Sequence, residues 1–178
     1  SHLKKYVNAE YIVLGSPRNN LADINNTIKN KKEILYIASF APQSFITYKK
    51  NKEFIKKFYE KEINILNSLI IFCKNKNLNL NILGKWRSEK LKQMEINFFN
   101  ENLLGKFNFI ENNSHRKTYE LLDEFELSIG THSALLFENF GRGNKSFAFN
   151  FRHEEYPFTT RRFGYFKNLP SSGPIWYQ

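Results

Sequence analysis

Six short apolar segments of strand character alternate with segments of helical period along this chain, and no other feature restricts its fold as tightly. The strand-like runs are YIVLG (11–15), EILYIASF (33–40), LNLNILG (78–84), KFNFIE (106–111), FELSIG (125–130) and KSFAFNF (145–151). Between the second and third, Phe54, Ile55, Phe58, Tyr59, Ile63 and Leu66 recur at helical spacing. Leu69 and Ile70 extend that pattern to a span too long for a strand, so it predicts an amphipathic helix. A second helix is expected from about Glu89 to Glu101, with Ser88 as N-cap and Leu91, Met94 and Phe98 on one face. A third is expected from about Arg116 to Asp123, and a fourth from about Ser133 to Phe140, stopping before Gly141 and Gly143. Strand and helix in alternation make a parallel sheet with crossover helices. The expected fold is therefore α/β, a Rossmann-like parallel sheet with helices on both faces, in one domain spanning 1–178.

Composition narrows the setting. With 41% hydrophobic residues and 18 Phe in 178 residues, the chain can bury a core. No apolar run approaches the roughly 20 residues that span a bilayer. The single cysteine, Cys73, excludes an intrachain disulfide and fits a reducing compartment, so a cytoplasmic place is expected, with a peripheral position at the inner face of the membrane left open. The start at Ser1-His2, without an initiator methionine, suggests an excised piece of a longer protein. Lys and Arg outnumber Asp and Glu 27 to 17, a formal net charge of +10 that attracts phosphates of any kind. A solvated, Lys- and Asn-rich surface explains much of that excess. Nucleic acid and an anionic membrane face nevertheless stand as partners of a rival reading, a non-catalytic basic binding module. No nucleic-acid motif is present, and specific nucleic-acid recognition is not expected.

The stretch LSIGTHSALLFENFGRGNK (127–145) carries the chemistry. Gly130 ends a strand, Thr131, His132 and Ser133 form a polar break, and a helix follows. In open parallel sheets ligands lie beyond the carboxyl ends of the strands, where such a helix presents its unpaired N–H groups and positive dipole end. One hydroxyl suffices for a cap. Two hydroxyls and an imidazole exceed that need, and a phosphate accepting the helix amides and the hydroxyls would account for the surplus. Glu138 is either a solvated carboxylate or the acceptor for a ribose diol, and Arg142 is read as a cation at the helix C-terminus.

The chain has only two aspartates, Asp23 and Asp123, and no Asp-x-Asp pair to hold a diphosphate-bound divalent ion. Its four histidines, His2, His115, His132 and His153, share no ligand spacing, and no metal or cofactor is expected. Neither G-x-G-x-x-G nor a P-loop is present. Lys85, Arg87, Arg152, Arg161 and Arg162 are the cations available to a phosphate. The tail from Arg152 to Gln178, broken by proline and glycine, reads as an irregular aromatic and Arg-rich loop in which Arg152, Arg161 and Arg162 are candidate sugar or phosphate contacts. The loop ENNSHRK (111–117) follows a strand end, where His115 could meet a base or simply connect two elements.

The segments THSALLFENFGRGNKSFAFNFR and YPFTTRRFGYFKNLPSSGPIWY resemble bacterial surface-carbohydrate biosynthesis proteins of the O-antigen type. More distantly, a strand, a Ser/Thr turn, a helix with Glu, a glycine and a strand resemble the donor-nucleotide half of GT-B glycosyltransferases, including those using CMP-activated sugars. The resemblance implies a nucleotide-activated sugar, CMP- or CDP-linked by preference, held by Gly130, Thr131, His132, Ser133 and Glu138. It also implies that Ser39 and Gly84-Lys85 face the same cleft, and that an N-terminal domain supplies the acceptor. The His-Pro pair of several CMP-sugar transferases is absent. No catalytic base is assigned; His132, His153 and Glu154 are open possibilities.

Overall fold

The computed structural model describes residues 16–20, 22–24, 29–41, 52–131, 133–149 and 175–177. Six parallel strands form one sheet: β1 (Asn30–Ile37), β2 (Asn79–Leu83), β3 (Asn108–Ile110), β4 (Phe125–Gly130), β5 (Lys145–Ala148) and β6 (Ile175–Tyr177). Their order is β3-β2-β1-β4-β5-β6, every neighbouring pair being parallel. Among the described residues the helices are α1 (Pro17–Asn20), α2 (Lys52–Lys76), α3 (Glu89–Asn102), α4 (His115–Glu124) and α5 (Ala134–Gly141).

Strand pleating sends alternate side chains to opposite faces. Ile34, Tyr36, Leu80 and Ile82 pack on one face against Tyr59, Leu66 and Cys73 of α2 and Phe99 of α3. On the other face Leu35, Ile37 and Leu83 meet Tyr119 and Leu122 of α4 and Leu136 of α5. A sheet covered on both faces needs apolar side chains on both, so its strands read as nearly continuous hydrophobic runs. This is a Rossmann-like α/β fold, as the alternation of segments predicts.

Most boundaries fall within a few residues of those expected, and β4 matches its predicted run residue for residue. The run 11–15 and most of the tail lie outside the described residues. The tail differs from a purely irregular loop at one place, where Ile175–Tyr177 pairs with Ser146–Ala148 as β6. Proline-rich flanks hide so short a strand, which an existing parallel edge can template. Ser88 sits at the N-cap of α3 with extended backbone, but its hydroxyl makes no capping bond.

The reading of Arg142 as a simple C-terminal cation is corrected. Its guanidinium is buried and donates to both oxygens of Asp123, at 2.9 and 2.6 Å. It also donates to Asn19 Oδ1 and to the carbonyls of Ala22 and Asp23. Five donors in a rigid fork let one side chain tie α4, α5 and the segment at 16–24 together.

Candidate functional site

In the strand order 3-2-1-4-5-6 the chain reverses direction between β1 and β4, and the crevice beyond their carboxyl ends is where such folds take ligands. Two adjoining concavities open there. The smaller, about 220 Å³, lies over the ends of β1 and β2 and is bordered by Ser39, Gly84, Lys85 and Ser133. The larger, about 710 Å³, shares Lys85, Asn112, Ser133 and Leu135 with it and runs on to Arg18, Tyr119 and Glu138. Of the expected site residues, the structure thus gathers Ser39, Lys85, Ser133 and Glu138 around one continuous cleft. Gly130 lies beneath, packed where a Cβ would come 3.1 Å from the Ile37 carbonyl and 3.3 Å from Leu136. Its role is close strand and helix packing. His132, Arg152, Arg161 and Arg162 lie outside the described residues, as do His153 and Glu154.

Three helices begin at this cleft. Ser88 precedes α3, His115 opens α4, and Ser133 with Ala134 opens α5; all four residues line the larger concavity. Parallel strands oblige the following helices to start on this edge, so their unpaired N–H groups and dipole ends converge there. Ser133 Oγ accepts the Leu135 N–H at 3.3 Å, an N-cap. Thr131 is buried and donates to Ser39 Oγ at 3.0 Å, and Ser39 donates in turn to Glu62 Oε1 at 2.7 Å. The buried Tyr36 hydroxyl donates to the same Glu62 oxygen at 2.9 Å, and burial, with Glu62 beside it, holds its pKa well above the ordinary phenol value. Thr131 and Ser39 thus belong to a buried hydroxyl chain that reaches the smaller concavity at Ser39.

The charge of the rim is positive. Arg18, Lys85 and Arg87 border the larger concavity beside the indole of Trp86. His115 sits among them with its pKa lowered, by desolvation first and then by Arg87 and Arg18. Glu138, its acidic neighbour, accepts from Ser16 Oγ at 2.6 Å and from Tyr119 OH at 2.9 Å. It ties the N-terminal segment carrying Arg18 to α5. The loop after β2 is pinned at three points. Lys85 N–H donates to both oxygens of Glu95, the Trp86 indole N–H to the Phe40 carbonyl at 2.8 Å, and Asn112 Nδ2 to the Lys85 carbonyl at 3.4 Å.

Sequence reasoning missed Arg18, Trp86, Asn112, Tyr119 and Glu95. Two signals were legible: Ser16-Pro17 is an N-cap followed by proline at the first helical position, which places Arg18 on a helix start, and GKW directly follows a strand end. Nothing local marks Glu95 or Tyr119, whose roles arise across 10 and 19 residues of sequence. Among the described residues, no three His, Cys, Asp or Glu side chains are grouped to hold a metal ion, and no helix is long and apolar enough to cross a membrane.

Fold and cleft define the class: a Rossmann-like α/β protein with a basic cleft at the switch point of its sheet. A family model described as "putative O-antigen biosynthesis protein" matches residues 1–178, and the chain belongs to that family. No curated protein matches it.

Proposed function

We propose that the domain binds the nucleotide of an activated sugar for a metal-independent glycosyltransferase or sugar-phosphate transferase of surface polysaccharide synthesis. The observation that carries this reading is the meeting of three helix N-termini with Arg18, Lys85 and Arg87 on one cleft of about 710 Å³. That is the electrostatics a diphosphate needs, and the cleft has the size of small-molecule sites. Trp86 offers a face for a base. Ser133 is the favoured hydroxyl contact, because its capping bond uses an oxygen lone pair and leaves the proton to donate, whereas the Thr131 proton is given to Ser39. Each Glu138 oxygen keeps a second lone pair for a ribose hydroxyl. On this reading a leaving phosphate is stabilised by helix amides and cations, and a second domain brings the acceptor.

Calorimetry with CMP, CDP, UDP and GDP tests it. CMP or CDP should bind in preference to UDP and GDP. Lys85→Ala with Arg87→Ala should weaken binding on the order of a hundredfold, since hydrogen bonds to charged groups contribute about 1.5–3 kcal/mol each. No binding by any of the four, or binding indifferent to the two cations, defeats the reading.

A further inference from the structure

We propose that Glu95 is the positioning residue of this cleft: its buried carboxylate fixes the loop Gly84–Ser88, so that Lys85, Trp86 and Arg87 stand at the rim. The inference rests on the nucleotide reading only for what the rim is for.

Glu95 is fully buried on α3, facing the sheet rather than solvent. Its Oε2 accepts from Lys85 N–H at 2.9 Å and from Trp86 N–H at 3.4 Å, and its Oε1 accepts from Lys85 N–H at 3.1 Å. A Cβ at Gly84 would come 3.1 Å from Oε2 and 2.5 Å from the Phe109 ring. The loop therefore lies directly on the carboxylate, and only glycine fits between them without displacing a neighbour. A buried acidic group in a helix is costly unless it is satisfied. Here what satisfies it is the backbone of the one loop that supplies two of the rim's cations and its indole. The arrangement holds the backbone of Lys85 and Trp86, while Asn112 Oδ1 accepts Arg87 Nε at 3.2 Å and orients the third side chain.

The charged groups facing Glu95 are Glu62 from α2 and Lys85 from the loop itself. Burial, the largest influence, and Glu62 push its pKa up, the two loop amides and Lys85 pull it down, and the balance stands at about 7. The carboxylate form is the better acceptor for the two amides. A protonated Glu95 keeps its carbonyl oxygen as an acceptor, so the amide bonds weaken below neutrality without the loop being released.

Amide and indole NMR shifts of the ligand-free protein, followed from pH 5 to 9, test the assignment, together with inorganic pyrophosphate affinity for wild type, Glu95→Gln and Glu95→Leu. In wild type the Lys85 and Trp86 amides should titrate together near neutrality. Glu95→Gln, with its amide oxygen at the Oε2 position, should keep the loop ordered and abolish that titration, with pyrophosphate affinity within about threefold of wild type. Glu95→Leu should remain folded by its melting profile, broaden the Lys85 and Trp86 signals and lose at least tenfold in affinity. A folded Glu95→Leu with wild-type loop signals overturns the proposal, as does survival of the titration in Glu95→Gln. Should wild type bind no pyrophosphate, the nucleotide reading fails, and the ligand-free shifts still decide whether Glu95 holds the loop.

Discussion

His115 reports the state of the cleft. Desolvation and the nearby Arg87 and Arg18 disfavour its charged form, so it should titrate below the ordinary value of 6.5. An anion that neutralises those arginines favours the imidazolium, and the titration should move upward on binding. Imidazole proton shifts with and without CDP measure this; no movement would mean that the anion does not settle between Arg18 and Arg87. Glu95 bears on stability as well as position. Its folded pKa of about 7 exceeds the ordinary 4.5, so between those values the folded state holds more protons than the unfolded. Stability from this group is present below about 4.5 and is lost as pH rises toward 7, by about 3 kcal/mol. Denaturant titrations at several pH values should show wild type losing its advantage over Glu95→Gln across that window. A constant difference between the two would contradict the raised value.

Among the elements, α4 and α5 both start at the cleft edge and with the same chemistry. Ser114 accepts the Lys117 N–H at 3.2 Å and Ser133 the Leu135 N–H at 3.3 Å. Only Ser133 borders the cleft. Replacing either by alanine should cost about 1 kcal/mol of stability through loss of the cap. Ser133→Ala should also weaken nucleotide binding about tenfold or more, while Ser114→Ala should leave it unchanged. Equal effects on binding would reduce both serines to caps. The helix packing that places these termini depends on residues such as Leu122 and Leu136, both essentially inaccessible to solvent.

Across the whole molecule, the buried Arg142–Asp123 pair joins the segment at 16–24 to α4 and α5, with Asn144 donating to Asp123 and to the Leu122 carbonyl. Removing one partner strands a buried charge. Arg142→Ala or Asp123→Ala should each lower stability by about 3–5 kcal/mol, with the double replacement costing less than the sum. Urea unfolding of the three variants checks this, and additive losses would show that the two charges do not depend on each other. The same clamp carries Arg18 to the cleft, so any Arg142 variant that folds should also bind nucleotide less tightly.

The period of its apolar residues was enough to mark β1 to β5, the helices between them and the strand end at Gly130, because alternation and helical spacing are local consequences of burial on two faces; α1 and β6 carried no such mark. The polar break at 131–133 was equally legible as the start of a helix at a sheet edge. Which hydroxyl faces the cleft was not. Thr131 and Ser133 are alike in sequence, and only the approach of Ser39, just beyond the end of β1 and 92 residues away, engages one and leaves the other at the rim. Glu95 reads as an ordinary helical acid until α3 lies against the sheet and turns it under the loop after β2. Arg142 reads as a terminal cation until Asp123 and the segment at 16–24 close around it. Hydrophobic pattern is written along the chain, but the partner of a buried polar group is set by which strands and helices become neighbours, and strand order decided that here.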